Sequence, residues 1–246
     1  MTLAAMILAA LAGNAVSSTG RVEEQTHLFI LSGQSNMAGL KPERTFTPAV
    51  EKGLAGQRVL VVKDAHGGQP IRRWYKKWKP GEDKVSGKAP PGDLYDRLWK
   101  KVSKAIGDHE PTSVTFVWMQ GERDAAEGHG DVYQQSLAGL IIQLRADLKK
   151  HGHYAGRLHS VVGRLSDHEN KKYVDWSKVR AAQVALATKE RDVDWIDTDA
   201  LNGAKNGLHF TKEGYDKLGE LFAESALKWI RATRKDRSSA PAGDGA

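Results

Sequence analysis

Short apolar stretches rich in β-branched residues alternate along this chain with longer stretches whose apolar residues recur every three or four positions. The short runs predict strands at His27–Leu31, Arg58–Val62, Ser113–Met119, Leu158–Leu165 and Asp194–Ile196. The longer ones predict helices at Leu94–Ile106, Val132–Lys150 and Trp176–Arg191. A last helix, Lys212–Ile230, sets Tyr215, Leu218, Phe222, Ala226 and Trp229 on one face. Strands alternating with helices across short polar connections imply an α/β fold, with a parallel sheet covered on both faces. Neither a solenoid-like repeat nor a linker divides the chain, so one domain is expected over residues 26–232.

Composition narrows this picture only slightly. The 246 residues are 27% charged and 40% hydrophobic, which fits a globular rather than a disordered chain. Beyond the N-terminus no apolar run approaches the ~20 residues that a membrane span needs. A net charge of +7 names no partner by itself. With no cysteine, the sequence excludes disulfides, thiolate nucleophiles and cysteine–zinc sites. The opening "MTLAAMILAALAGNAVSSTG" predicts an export signal over residues 1–20, cleaved near Ser17 or Ser18, and so a secreted or periplasmic protein. That signal has no Lys or Arg, so its positive region reduces to the amino terminus. Residues 233–246, ending in "RKDRSSAPAGDGA", are expected to form a disordered tail.

Ligands of open parallel sheets sit at the carboxyl ends of the strands, which directs attention to four connections. They read "SGQSNMAG" around Ser35, "DAHGGQPIRRW" with Gly67 and Gly68, "QGERDA" from Gln120, and "NGLHFTKEGY" around His209. Acyl transfer needs a nucleophile, oxyanion donors, a base and an orienting acid, and these loops contain them. Each also has an ordinary reading. A serine in a glycine-bounded turn is commonly a helix cap, a Gly pair a tight turn, and a strand-end glutamine a satisfied polar residue. Glu122 and Asp124 can simply start a helix, and His209 is one of nine histidines. The serine does not sit in the G-x-S-x-G elbow of α/β-hydrolases. No H-E-x-x-H, G-x-G-x-x-G or G-x-x-x-x-G-K-[ST] pattern occurs, so neither metal nor nucleotide cofactor is expected. The segment "IRRWYKKWKP" interleaves basic residues with Trp74, Tyr75 and Trp78. It reads as a sugar-stacking wall, as a nucleic-acid contact, or as aromatics packed on the domain. Without a nucleic-acid-binding module, no nucleic-acid partner is expected.

Taken together, "GQSNMAG" (33–39), "GGQPIRRW" (67–74), "WMQGERDA" (118–125) and "GLHFTKEGYDKLG" (207–219) resemble the SGNH hydrolase superfamily. The likeness is greatest to its sialate O-acetylesterase branch, which includes the acetylxylan esterases of carbohydrate esterase family six. The resemblance implies a three-layer, flavodoxin-like α/β/α sandwich and a metal-free serine esterase that acts on O-acetylated carbohydrates. By the same resemblance Ser35 is the nucleophile and His209 the base. The oxyanion donors are the backbone N–H groups of Ser35 and Gly68 together with the amide of Gln120. The family often carries Asp three residues before its histidine, where this chain has Asn206. Glu122 is therefore expected to orient His209, with Asn206 the alternative. Trp74, Trp78 and Arg123 are expected to contact the substrate. The readings left standing beside this one are an SGNH esterase or lipase on other acyl esters, and a carbohydrate-binding pseudoenzyme. Neither the particular sugar nor the oligomeric state can be read from the sequence.

Overall fold

In the computed structural model, residues 25–81, 91–168 and 170–239 are described, with side chains to 234. The export signal expected over residues 1–20 and the last residues of the expected tail, 240–246, lie outside them. The remaining chain builds five strands, β1 (Thr26–Gly33), β2 (Arg58–Ala65), β3 (Pro111–Met119), β4 (Leu158–Gly163) and β5 (Val193–Ile196). They form one sheet in the order β2-β1-β3-β4-β5, with every pairing parallel. Helices α1 (Ser35–Gly39), α2 (Phe46–Gly53), α3 (Asp93–Ile106), α4 (Glu122–Glu127), α5 (Gly130–Lys150), α6 (Trp176–Lys189) and α7 (Lys212–Ser239) connect or follow them.

The central strand shows why the apolar runs were readable. All eight residues of β1 are buried, because a parallel strand between helix layers has no solvent face. At the edge of the sheet the pattern changes. In β5, Val193 and Ile196 are buried while Asp194 and Trp195 face outwards. Helix α2 packs on α7 and the pair lies over one face of the sheet, while α3, α5 and α6 lie over the other. Among the described residues no helix is long and apolar enough to cross a membrane.

Four helices differ from expectation. The last helix does not stop at Ile230 but continues to Ser239, into the segment expected to be disordered. The strongly charged "RKDRSS" has no proline or glycine to end a helix; the first proline is Pro241. Conversely α1, α2 and α4 are too short, at five, eight and six residues, to show a clear helical period.

Strand β1 pairs with both β2 and β3, and the chain connections leave it towards opposite faces. A crevice therefore opens at the carboxyl end between β1 and β3. The turn out of β1 runs directly against the end of β3. Gly33 has φ of 144°, and a Cβ built there would lie 2.0 Å from the Met119 carbonyl oxygen. The next residue fixes the approach, as Gln34 N–H donates to that same oxygen at 2.9 Å.

Candidate active site

Ser35 is the first residue of α1 and is half-buried at the mouth of this crevice. Gly67, in the connection after β2, faces it: a Cβ on Gly67 would stand 3.7 Å from Ser35 Cβ. Gly68 is exposed and left-handed, with φ of 67°. Gly67 thus brings bare backbone beside the serine.

Buried polar side chains tie the loops together. Gln34 Oε1 accepts from Gln120 Nε2 at 3.2 Å, from Arg123 N–H at 3.2 Å and from Gly121 N–H at 3.4 Å. Asp124 Oδ2 accepts from Ile71 N–H at 2.9 Å and from Gln120 Nε2 at 2.5 Å. Gln120 Nε2 also reaches the Gln69 carbonyl oxygen at 3.1 Å. Its own carbonyl oxygen, Oε1, accepts from Tyr133 OH at 3.0 Å.

This arrangement corrects the expectation for Gln120. Its side chain is wholly buried and its amide nitrogen is spent on three acceptors inside the protein. An amide N–H₂ has two hydrogens, so none is left for an incoming carbonyl. Gln120 is a fastener between loops rather than an oxyanion donor.

Asn36, next to the serine, makes the longest reach. Its Nδ2 donates to Glu122 Oε1 at 2.9 Å and to the Leu208 carbonyl oxygen at 3.1 Å. Its Oδ1 accepts from Phe210 N–H and from Tyr215 OH, each at 3.2 Å. The residues held are those on either side of His209. The neighbour of Ser35 therefore clamps the peptide that carries His209, across 172 residues of sequence. Gly39 makes room for this contact, since a Cβ there would lie 2.3 Å from the Tyr215 ring.

His209 itself is exposed, and its ring has no hydrogen-bond partner among the described residues. Glu122 makes neither hydrogen bond nor ion pair with it. Glu122 Oε1 serves Asn36, and Oε2 is buried without a partner among the described residues. Burial dominates its titration and pushes the carboxyl up to about 7, although the Asn36 amide and nearby backbone N–H groups pull the other way. Asp124 is likewise pushed up to about 7, chiefly by burial and against its hydrogen bond from Gln120. The alternative partner, Asn206, is also turned to other work. It adopts φ of 46°, accepts from Asn202 Nδ2 at 2.5 Å and donates to the Asp167 carbonyl oxygen at 3.2 Å. Neither proposed orienting residue touches the histidine ring; Glu122 reaches the His209 loop through Asn36.

The aromatic wall is also corrected. Trp74 has no exposed surface and packs edge-on against Trp118 with ring centroids 5.3 Å apart. Trp78 is 6% exposed, with its ring edge-on to His129 and the Arg72 guanidinium beside it. They belong to the core beneath the second loop and offer no face to a sugar. Arg123 is exposed and paired with Glu127 at 2.7 Å, one helical turn on. The functional residue that sequence reasoning missed is Asn36. It stands inside the "GQSN" motif, but its partners lie in distant loops and leave no local signal.

Comparison with known proteins bears on the fold and the family. The chain is 27% identical over 210 residues to a probable carbohydrate esterase from Arabidopsis thaliana, covering 83% of this chain and 69% of that protein. A solved structure from Arabidopsis thaliana superposes with a TM-score of 0.63 at 24% identity, over 82% of this chain and 98% of that one. A carbohydrate acetylesterase from Xanthomonas citri gives 0.55 at 16% identity, over 82% of this chain and 55% of that one. These likenesses to solved structures establish the common fold. Residues 39–228 match the profile of the family described as carbohydrate esterase, sialic acid-specific acetylesterase. This chain, an α/β/α protein, belongs to that carbohydrate esterase family.

Proposed function

We propose that the protein is a serine esterase that removes O-acetyl groups from carbohydrates through an acetyl-enzyme. The observation that carries this reading is the Asn36 clamp, which joins the residue beside Ser35 to both neighbours of His209. A serine hydroxyl is a weak nucleophile until a base takes its proton, so a nucleophile and base built into one hydrogen-bonded unit suit acyl transfer.

In this mechanism His209 takes the proton of Ser35 Oγ as the oxygen attacks the acetyl carbonyl. The tetrahedral oxyanion is received by the backbone N–H groups of Ser35 and Gly68. A preorganised donor of this kind typically contributes on the order of 10²–10³ in rate. Collapse of the intermediate expels the sugar hydroxyl, protonated by His209, and leaves acetyl on Ser35. Water activated by the same histidine then releases acetate and restores the serine. Asn36 fixes where the base stands, and Glu122 fixes Asn36.

The test is acetate release from a panel of acetylated polysaccharides and from O-acetylated sialic acid, alongside p-nitrophenyl acetate and butyrate. Wild-type protein should release acetate and favour the acetyl over the butyryl ester, and Ser35→Ala should abolish hydrolysis with the fold intact. An organophosphonate should label Ser35 alone. Hydrolysis undiminished in Ser35→Ala would refute the proposal.

A further inference from the structure

The loop between β4 and α6 and the first turns of α6 border an open cavity of about 370 Å³ that none of the expected site residues lines. That volume lies at the lower end of the ~300–1,000 Å³ usual for small-molecule sites. Asp167, His168, Asn170, Tyr173, Trp176, Ser177 and Arg180 line it. It opens beyond the carboxyl end of β4, on the same edge of the sheet as Ser35 and His209.

Two hydrogen bonds fasten its wall to the loop that carries His209. His168 Nδ1 donates to the Asn206 carbonyl oxygen at 2.7 Å, and Asn206 Nδ2 donates to the Asp167 carbonyl oxygen at 3.2 Å. The cavity is also electrostatically close to the crevice, since the Glu122 carboxylate adds to the upward shift that burial imposes on Tyr173. From these placements we propose that the cavity is the subsite for the sugar ring whose ester is cleaved, and that it takes an uncharged, hydroxyl-bearing ring. This rests on the esterase reading above.

The lining has the composition that such a ring needs. Tyr173 and His168 stand over the buried Trp176, with centroids 5.1 Å apart for Tyr173–Trp176 and 5.4 Å for His168–Trp176, so Tyr173 and His168 supply the accessible aromatic surface. Around it stand groups able to exchange hydrogen bonds with hydroxyls. The Asp167 carboxylate is exposed and in no hydrogen bond or ion pair among the described residues. The Asn170 Oδ1 accepts from Lys172 N–H at 3.0 Å, which leaves its N–H₂ as donor. Aromatic faces and a few convergent polar groups are the usual make-up of a small-ligand site.

The charge pattern selects against an acidic sugar. The one cation among the lining residues, Arg180, is held by both oxygens of Asp199, at 2.6 and 3.1 Å, and by the Leu165 carbonyl oxygen at 2.5 Å. These bonds use three of its five N–H groups, and its positive charge is already paired with Asp199. Asp167 adds a negative charge that would repel a ligand carboxylate. Lys172 lies outside the lining, over the Tyr173 ring at 6.0 Å.

The test compares Tyr173→Ala and Asn170→Ala with wild type on three substrates. These are an O-acetylated neutral oligosaccharide, O-acetylated sialic acid and p-nitrophenyl acetate. Wild type should prefer the neutral sugar. Each variant should lower the ratio of kcat/KM on the neutral sugar to that on p-nitrophenyl acetate by about tenfold or more, mainly through KM. Asn170 is exposed, so its variant keeps the comparison sound if Tyr173→Ala folds poorly. An unchanged ratio in Asn170→Ala and in folded Tyr173→Ala, or a wild-type preference for the acidic sugar, overturns the subsite and leaves the esterase reading standing. Ser35-dependent hydrolysis of p-nitrophenyl acetate with no turnover of any acetylated sugar overturns both.

Discussion

Asn36 Nδ2 stands 2.9 Å from Glu122 Oε1, and the same nitrogen holds the Leu208 carbonyl oxygen at 3.1 Å. A buried carboxylate thus steers the His209 loop through an amide, without touching the imidazole. Removing the amide should free the loop while leaving Ser35 in place. Asn36→Ala is expected to lower kcat by about 10² or more, since a misplacement of about 1 Å can cost that much. Asn36→Asp should be no better, because a carboxylate cannot donate to Glu122 or to Leu208. Steady-state kinetics on p-nitrophenyl acetate decides it; near-wild-type kcat in both variants would rule the clamp out.

Glu122→Gln separates two roles for the acid. A direct partner that supplied charge to the histidine would cost about 10⁴ in kcat when neutralised, as the Asp-to-Asn change does in serine proteases. The glutamine oxygen can still accept from Asn36, so the relay predicts a loss of tenfold or less. A fall of several orders of magnitude would restore Glu122 to the histidine ring.

The same acid sets a dependence of stability on pH. Its folded value, about 7, lies above the ordinary 4.5, so the folded protein retains a proton that the unfolded chain has released between those values. The stability this confers is fully present below 4.5 and is lost as pH rises through about 7. Burial lowers His27, which works in the opposite sense near its ordinary 6.5, so the useful quantity is a difference between proteins. Thermal melts from pH 5 to 8 should show the Tm of Glu122→Gln gaining on wild type as pH rises. A constant gap would mean that Glu122 titrates normally.

Trp74→Ala tests the correction of the aromatic wall. The ring is wholly buried against Trp118, so its loss should destabilise the fold by about 3–5 kcal/mol. A sugar-stacking residue would instead raise KM and leave the denaturation midpoint in place. Urea denaturation and KM on an acetylated sugar, measured together, distinguish the two.

How far the chain could be read follows from where each signal is stored. Strands β1 and β3 were legible because burial on both faces demands unbroken apolar runs, and "HLFIL" and "SVTFVWM" supply them. Positions near the crevice were legible because ligands of parallel sheets gather at the carboxyl ends of the strands, where "SGQSNMAG" follows β1. The direction of a side chain was not. Gln34 and Gln120 look equally able to serve a substrate, yet both are consumed in tying loops together. The mixture of aromatic and basic residues in "IRRWYKKWKP" fits a surface or a core rim equally well. Only the contacts of Trp74 and Trp78 settle which.

The reach of Asn36 also fixes when in the life of the chain this site comes to exist. A ribosome makes Ser35 early, but the Leu208 carbonyl that Asn36 must grasp emerges 172 residues later. On the mechanism proposed above, the serine until then sits in its turn with no base, and a nascent or prematurely ended chain carries a nucleophile unable to attack an ester. On that mechanism, hydrolysis reports a chain that extends past Leu208. A fragment ending before Leu208 should then be inert, and one supplied separately with residues 208–239 should regain activity only by docking them.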